Sequence, residues 1–284
     1  MQKNKVNTIK FILFLQIATL LFQGCSNNTK KKQKNKKQNS YTILGLGDSI
    51  TEGNGTALYS YLLPLWKKLL SEGYETKFIG PNAYKCDIGN IMNAGYGGKN
   101  AEYLDAHIDS IYTKYTADIV LLHAGHNHFN KENPIDGIVA SQKSIISKIV
   151  AINPDVKIFI AQVITSGKLP KYSYIPELNK QIYHLVQQLK IKGLPVKIVN
   201  QAKGFNWKIH CLTDKVHPNI NGAEVMADIW FNAIDKELKK FTDTNKYDPE
   251  IVTYNTTDNA NLKLYKFNFL SNKNIRHKKS LPIH

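Results

Sequence analysis

Five short β-branched, apolar runs separated by helical patterns constrain the possible fold more than anything else in this chain. "YTILGLG" (41–47), "TKFIG" (76–80), "ADIVLLHAG" (117–125), "VKIFIAQVI" (156–164) and "VKIVN" (196–200) lack polar alternation, as strands covered on both faces do. Between and after them, "LYSYLLPLWKKLLSEG", "NAEYLDAHIDSIYTKY", "PIDGIVASQKSIISKIVAINP", "IPELNKQIYHLVQQLKIKG" and "NGAEVMADIWFNAIDKELKK" space their apolar residues as helices do. Trp66 and Trp230 lie on those helix patterns and belong to the core. Alternation of this kind predicts an α/β fold, a three-layer α/β/α sandwich around a five-stranded parallel sheet in flavodoxin-like order. A site would then form at the carboxyl ends of the strands.

The pattern occupies 41–240, and the ends have a different character. Lys3, Lys5 and Lys10 precede "FILFLQIATLLF", a charged segment and an apolar segment too short for a comfortable membrane span, which reads as a signal peptide over 1–24. "LFQGC" resembles the lipobox of bacterial lipoproteins, which would make Cys25 the lipidated first residue of the mature chain. An ordinary secretory signal is the alternative. Residues 25–40 are rich in Lys and Asn with nothing apolar to bury, and form a solvated tether. The expected location is the bacterial cell envelope, on a membrane through the lipid anchor.

Of the formal charge of +16, residues 1–40 carry +9 and residues 241–284 carry +3, so the 41–240 region keeps only +4. That is no electrostatic footprint for nucleic acid. Within 241–284, "DPEIVTYNTTDNANLKLYKFNF" reads as two strands around a turn. It resembles the opening hairpin of an α/β-hydrolase-type esterase domain, and a tail packed on the core is the other reading. Cys86 and Cys211 are free to pair in an oxidising envelope, but sequence alone does not bring them together.

Chemistry concentrates where the strands end. In "GLGDSITEG", Ser49 follows the first strand, and Gly47 lets the chain turn so that the hydroxyl projects above the sheet. Such a serine needs a base, and "TDKVHPN" offers His217 with Asp214 three residues before it, close enough in a tight loop to orient the imidazole. Donors for a developing oxyanion come from the amide of Ser49, the glycine loop "NAGYGGKN" and the side-chain amide of Asn127 in "HAGHNHFN". In the glycine loop the amides of Gly95, Gly97 and Gly98 are alternatives for this role.

These four blocks, in this order, resemble the SGNH (GDSL-type) hydrolases. The resemblance implies that Ser49 is the nucleophile, His217 the general base and acid, and Asp214 its orienting carboxylate. It also implies an oxyanion hole of the Ser49 amide, the Gly98 amide and Asn127. The wording of "GDSITEG", "GYETKFIG", "GYGGKN", "IVLLHAGHN" and "NPDVKIFIAQVI" is most similar to acetyl xylan esterases of carbohydrate esterase family 3. That implies removal of acetyl groups from an acetylated polysaccharide or oligosaccharide, with no cofactor. Asp48, Tyr96 and Trp207 are the candidates for touching substrate.

One block departs from the family. Its usual G-T-N-D is Gly125-His126-Asn127-His128 here, so Asn127 remains while its neighbours are both histidines. With His123 they form "HAGHNH", which invites a metal reading. Strand alternation and the lack of a nearby carboxylate or cysteine argue against it, and no metal is expected. Two rival functions stand beside deacetylation: the same machinery acting on lipids or other acyl esters, and, supported by the altered block, a weakened glycan-binding lipoprotein.

Overall fold

The computed structural model describes residues 40–54, 58–244, 250–253 and 263–266. The signal peptide, Cys25 and all but one residue of the tether lie outside the described residues, as does most of the 241–284 segment.

Strand β1 (Ser40–Asp48) is the axis of the sheet. Its first half pairs in parallel with β2 (Glu75–Phe78), Ser40 to Ile43 against Glu75 to Phe78. Its second half pairs in parallel with β4 (Gly89–Tyr96), Leu46 to Asp48 against Ala94 to Tyr96. On the other side β5 (Ile119–His123) runs alongside Ile43 to Gly47, and β6 (Lys157–Gln162) and β7 (Val196–Asn200) follow outward, all parallel. A strand paired on both sides and covered on both faces has no place for polar side chains, which explains the apolar run in β1.

The fold class is as expected, with two strands added that the sequence does not announce. β3 (Asn82–Cys86) and β4 form an antiparallel hairpin at one edge, giving a seven-stranded, mostly parallel sheet. β3 has no fully buried residue and β4 begins exposed, so neither carries the continuous apolar signal of the central strands. "NAGY", expected to be loop, is the buried end of β4.

The chain moves one way from β1 to β2 and then back across β1 to β5, β6 and β7. Right-handed crossovers therefore put helices on both faces. α2 (Leu62–Ser71) packs with the last helix, α7 (Ile220–Thr244), where Lys68 reaches Glu224 and Asp228. α3 (Ala101–Lys114), α4 (Ile135–Ile152) and α5 (Ile175–Ile191) pack in succession. α4 buries Ile138, Ser141, Gln142, Ile145, Ile146 and Ile149, one continuous helical stripe. Asn100 caps α3 by accepting the Tyr103 amide at 3.0 Å. Trp230 is fully buried, while Trp66 is half-buried with its indole N–H on the Thr76 carbonyl. Beyond α7, β8 (Glu250–Thr253) and β9 (Lys263–Lys266) pair antiparallel, which agrees with the two-strand reading.

The reversal of direction makes β1 the switch point, and a four-residue helix, α1 (Ser49–Glu52), starts there. Its backbone lies directly on β4: a Cβ at Gly95 would strike the backbone of Glu52, and one at Gly47 would strike Thr51 and the His123 carbonyl. Backbone cannot yield as a flexible side chain does. Gly95→Ala is therefore expected to destabilise the protein by about 1–3 kcal/mol, read as a lowered urea midpoint with an unchanged m-value.

Candidate active site

Asp48 closes β1 and caps α1, its Oδ1 accepting the Ile50 amide at 2.9 Å. Ser49 is then the first residue of α1, half-buried at the carboxyl end of the central strand. Its Oγ lies 2.8 Å from His217 Nε2.

His217 sits on the loop between α6 (Trp207–His210) and α7. That loop folds tightly on itself: the Leu212 amide bonds the His217 carbonyl at 2.8 Å, and Lys215 takes a left-handed turn, φ 62°. The turn wraps the backbone around Asp214. Its Oδ1 accepts the Val216 and His217 amides at 2.8 and 3.0 Å, and its Oδ2 meets His217 Nδ1 at 2.5 Å. Partial burial pushes the Asp214 carboxyl up, but the His217 ring and the two amides outweigh it and hold it below the usual carboxylate range. With Nδ1–H donated to Asp214, Nε2 presents its lone pair to the serine hydroxyl. The geometry can pass the Ser49 proton to His217 while Asp214 steadies the imidazolium.

The candidate oxyanion donors separate cleanly. Gly95 N–H is donated to Asn93 Oδ1 at 2.9 Å and Gly97 N–H to Glu52 Oε2 at 2.8 Å, so both alternatives are engaged. Gly98, at φ 73°, has an amide with no protein acceptor among the described residues. Asn127, also left-handed at φ 67°, gives one amide hydrogen to the Lys99 carbonyl at 2.9 Å. That bond fixes the amide beside Gly98 and leaves its second hydrogen to donate.

The two unusual histidines have opposite surroundings. His128 is held from both sides, Nε2 2.9 Å from Glu102 of α3 and Nδ1 3.5 Å from Glu132. Glu132 also accepts the Phe129 amide at 3.0 Å, so the loop bearing Asn127 is tied down without an aspartate at 128. His126 turns inward and is buried, and burial holds it well below the ordinary histidine range, near neutral His123, whose pKa burial lowers to about 4.

Two expectations need correction. Asp48, a candidate for touching substrate, is turned inward instead: it is 1% exposed, and burial pushes its carboxyl up to about 7. And a carboxylate does accompany the histidines, because β1 brings Asp48 to within 4.8 Å of both His123 and His126. Sequence separation hides that approach. Tyr96 and Trp207 remain half-buried, Tyr96 edge-on to Tyr103 and Trp207 against Gly167, where a Cβ would strike its ring. Cys86 and Cys211 are both free thiols, donating to the Gly89 and Val216 carbonyls.

A strand-end serine joined to a histidine–aspartate pair within a doubly wound sheet defines a site of the serine-hydrolase class. The GDSL-like Lipase/Acylhydrolase family matches residues 46–225, and the chain belongs to that family. No curated protein matches the sequence. Among solved structures, it is similar to a family 3 carbohydrate esterase of Clostridium thermocellum (23% identity, TM-score 0.62), covering 71% of this chain and 98% of that one. A carbohydrate esterase family 3 protein from Talaromyces cellulolyticus is 24% identical with TM-score 0.61, covering 70% and 98%. An acetylxylan esterase from Geobacillus stearothermophilus is 18% identical with TM-score 0.52, covering 70% and 96%. At these identities the likeness is one of fold.

Sequence reasoning misses the supporting residues Asn93, Glu52, Lys99, Glu102 and Glu132. The four-residue step from His128 to Glu132 was the one available signal. Because Glu102 faces position 128, His128→Asp should lower the melting temperature by about 2–4 °C, and Glu102→Lys in the same chain should recover it. Thermal unfolding of the three proteins checks this.

Proposed function

We propose that this family member is a serine esterase that removes acetyl or other short acyl groups from a polysaccharide through an acyl-enzyme. Ser49 Oγ attacks the ester carbonyl as His217 Nε2 takes its proton, and the tetrahedral oxyanion is received by the Ser49 and Gly98 amides and Asn127 Nδ2. His217 returns the proton to the departing sugar alcohol, then activates a water that releases the acid and frees Ser49. The observation that carries this reading is the Asp214–His217–Ser49 chain, 2.5 and 2.8 Å.

Support for a carbohydrate substrate is of a different kind: the carbohydrate esterases that share the fold, and Tyr96 and Trp207, aromatic and half-buried. A lipid or other acyl ester would use the same machinery. Acetate release from acetylated xylan, with turnover of p-nitrophenyl esters falling as the acyl chain lengthens, is the expected outcome. Preference for long chains would reverse the substrate assignment.

Ser49→Ala is expected to lower p-nitrophenyl acetate turnover by roughly 10⁴-fold or more, and Asn127→Ala by about 10²–10³-fold with little change in KM. Polysaccharide binding without hydrolysis, indifferent to Ser49→Ala, would instead mark a glycan-binding protein. We also propose that Cys25 carries the lipid anchor that holds the domain at the bacterial envelope, on the strength of "LFQGC". Cys25→Ala should move the protein from the membrane to the soluble fraction, and retention in the membrane would refute it.

A further inference from the structure

We propose that Asp48, His123 and His126 form a buried binding site for one divalent transition-metal ion of the zinc class, behind the nucleophile. The inference does not depend on the esterase reading. The donors come from the end of β1, the end of β5 and the loop that follows it, and one ligand atom from each lies within 4.8 Å of the others. All three residues are at most 1% exposed.

Their polar atoms lack protein partners where partners are most needed. Asp48 Oδ2, His123 Nδ1 and both ring nitrogens of His126 are buried without a hydrogen bond, and the Ile164 amide reaches His123 Nε2 only at 3.5 Å. Each such group, left so, keeps a desolvation cost that nothing in the protein offsets. Asp48 Oδ2 and His126 Nδ1 face each other at 3.8 Å, too far for a hydrogen bond. Two ligands on a tetrahedral ion at about 2.0–2.1 Å stand roughly 3.3–3.4 Å apart, so that pair needs to close by only a few tenths of an ångström.

The donor chemistry fits as well. Two imidazoles and one carboxylate are a common zinc-type set, and a dication offsets the buried carboxylate charge. The surroundings hold the ligands in orientation. Asp48 Oδ1 is fixed by the Ile50 amide, the two imidazoles lie nearly parallel at 13°, and Tyr61 and Tyr172 pack against them. The ion would pin β1 to the end of β5 beneath Ser49, a structural role. A site this enclosed loads as the chain folds, so metal must be supplied during expression or refolding.

The test is the metal content of the full chain, produced with zinc or cobalt in the medium and then exposed to EDTA. About one metal per chain, retained against EDTA, is expected. The cobalt form should show the strong visible ligand-field bands of a low-coordinate site, and the zinc form a higher urea midpoint than chain refolded without metal. His126→Thr and His123→Asn should each bring the retained metal close to zero. Less than about a tenth of an equivalent in the unmodified chain, as a bridging water would give, overturns the proposal. So does equal content in the variants, which would assign the metal to exposed histidines. Should the variants fail to fold, the cobalt spectrum of the unmodified chain decides, and the absence of the bands refutes the site.

Discussion

The direct contact between the backbone of α1 and the sheet is the constraint on which the rest of the site depends. A four-residue helix has too few hydrogen bonds to fix its own position, so it is held by what touches it. Gly95 brings β4 within backbone contact of α1, Gly47 leaves room for the Thr51 side chain against β1, and the Asp48 carboxylate caps the first turn. With α1 seated, Ser49 Oγ has one location at the end of β1, and Glu52 can reach the Gly97 amide. The same contact therefore places Ser49 and shapes the loop that bears the Gly98 amide.

The acid–base pair is built in the opposite way, from a loop that closes on itself. Asp214 collects two backbone amides and the imidazole of His217 within four residues. The loop is thus nearly pre-formed before it meets Ser49. The 2.8 Å bond between His217 and Ser49 links the helix start to this self-supported turn. Preorganisation of this type lets the donors and the base act without rearrangement as charge develops.

The altered block shows how substitutions at neighbouring positions can have unrelated consequences. His128 exchanges an expected carboxylate for an imidazole, and the carboxylates move to Glu102 and Glu132 around it. The loop that carries Asn127 keeps its anchorage through Lys99 and Glu132. His126 instead points into the core, where it joins Asp48 and His123 in a cluster that hydrogen bonds within the protein leave unsatisfied.

By itself the sequence determined the layers, the central strands, and the serine, histidine and aspartate that the structure joins. Those features rest on local signals: apolar runs for strands covered on both faces, and Asp214 and His217 three residues apart in a single turn. Only the tertiary structure decided which glycine amide stands free, because Gly95 and Gly97 are engaged by Asn93 and Glu52, the latter over forty residues away. It added the β3–β4 hairpin, whose half-exposed edge carries no continuous apolar pattern. It also turned Asp48 from a surface candidate into a buried neighbour of two histidines. Strand pairing between β1 and β5 brings those residues together across more than seventy positions, and no spacing along the chain records that distance.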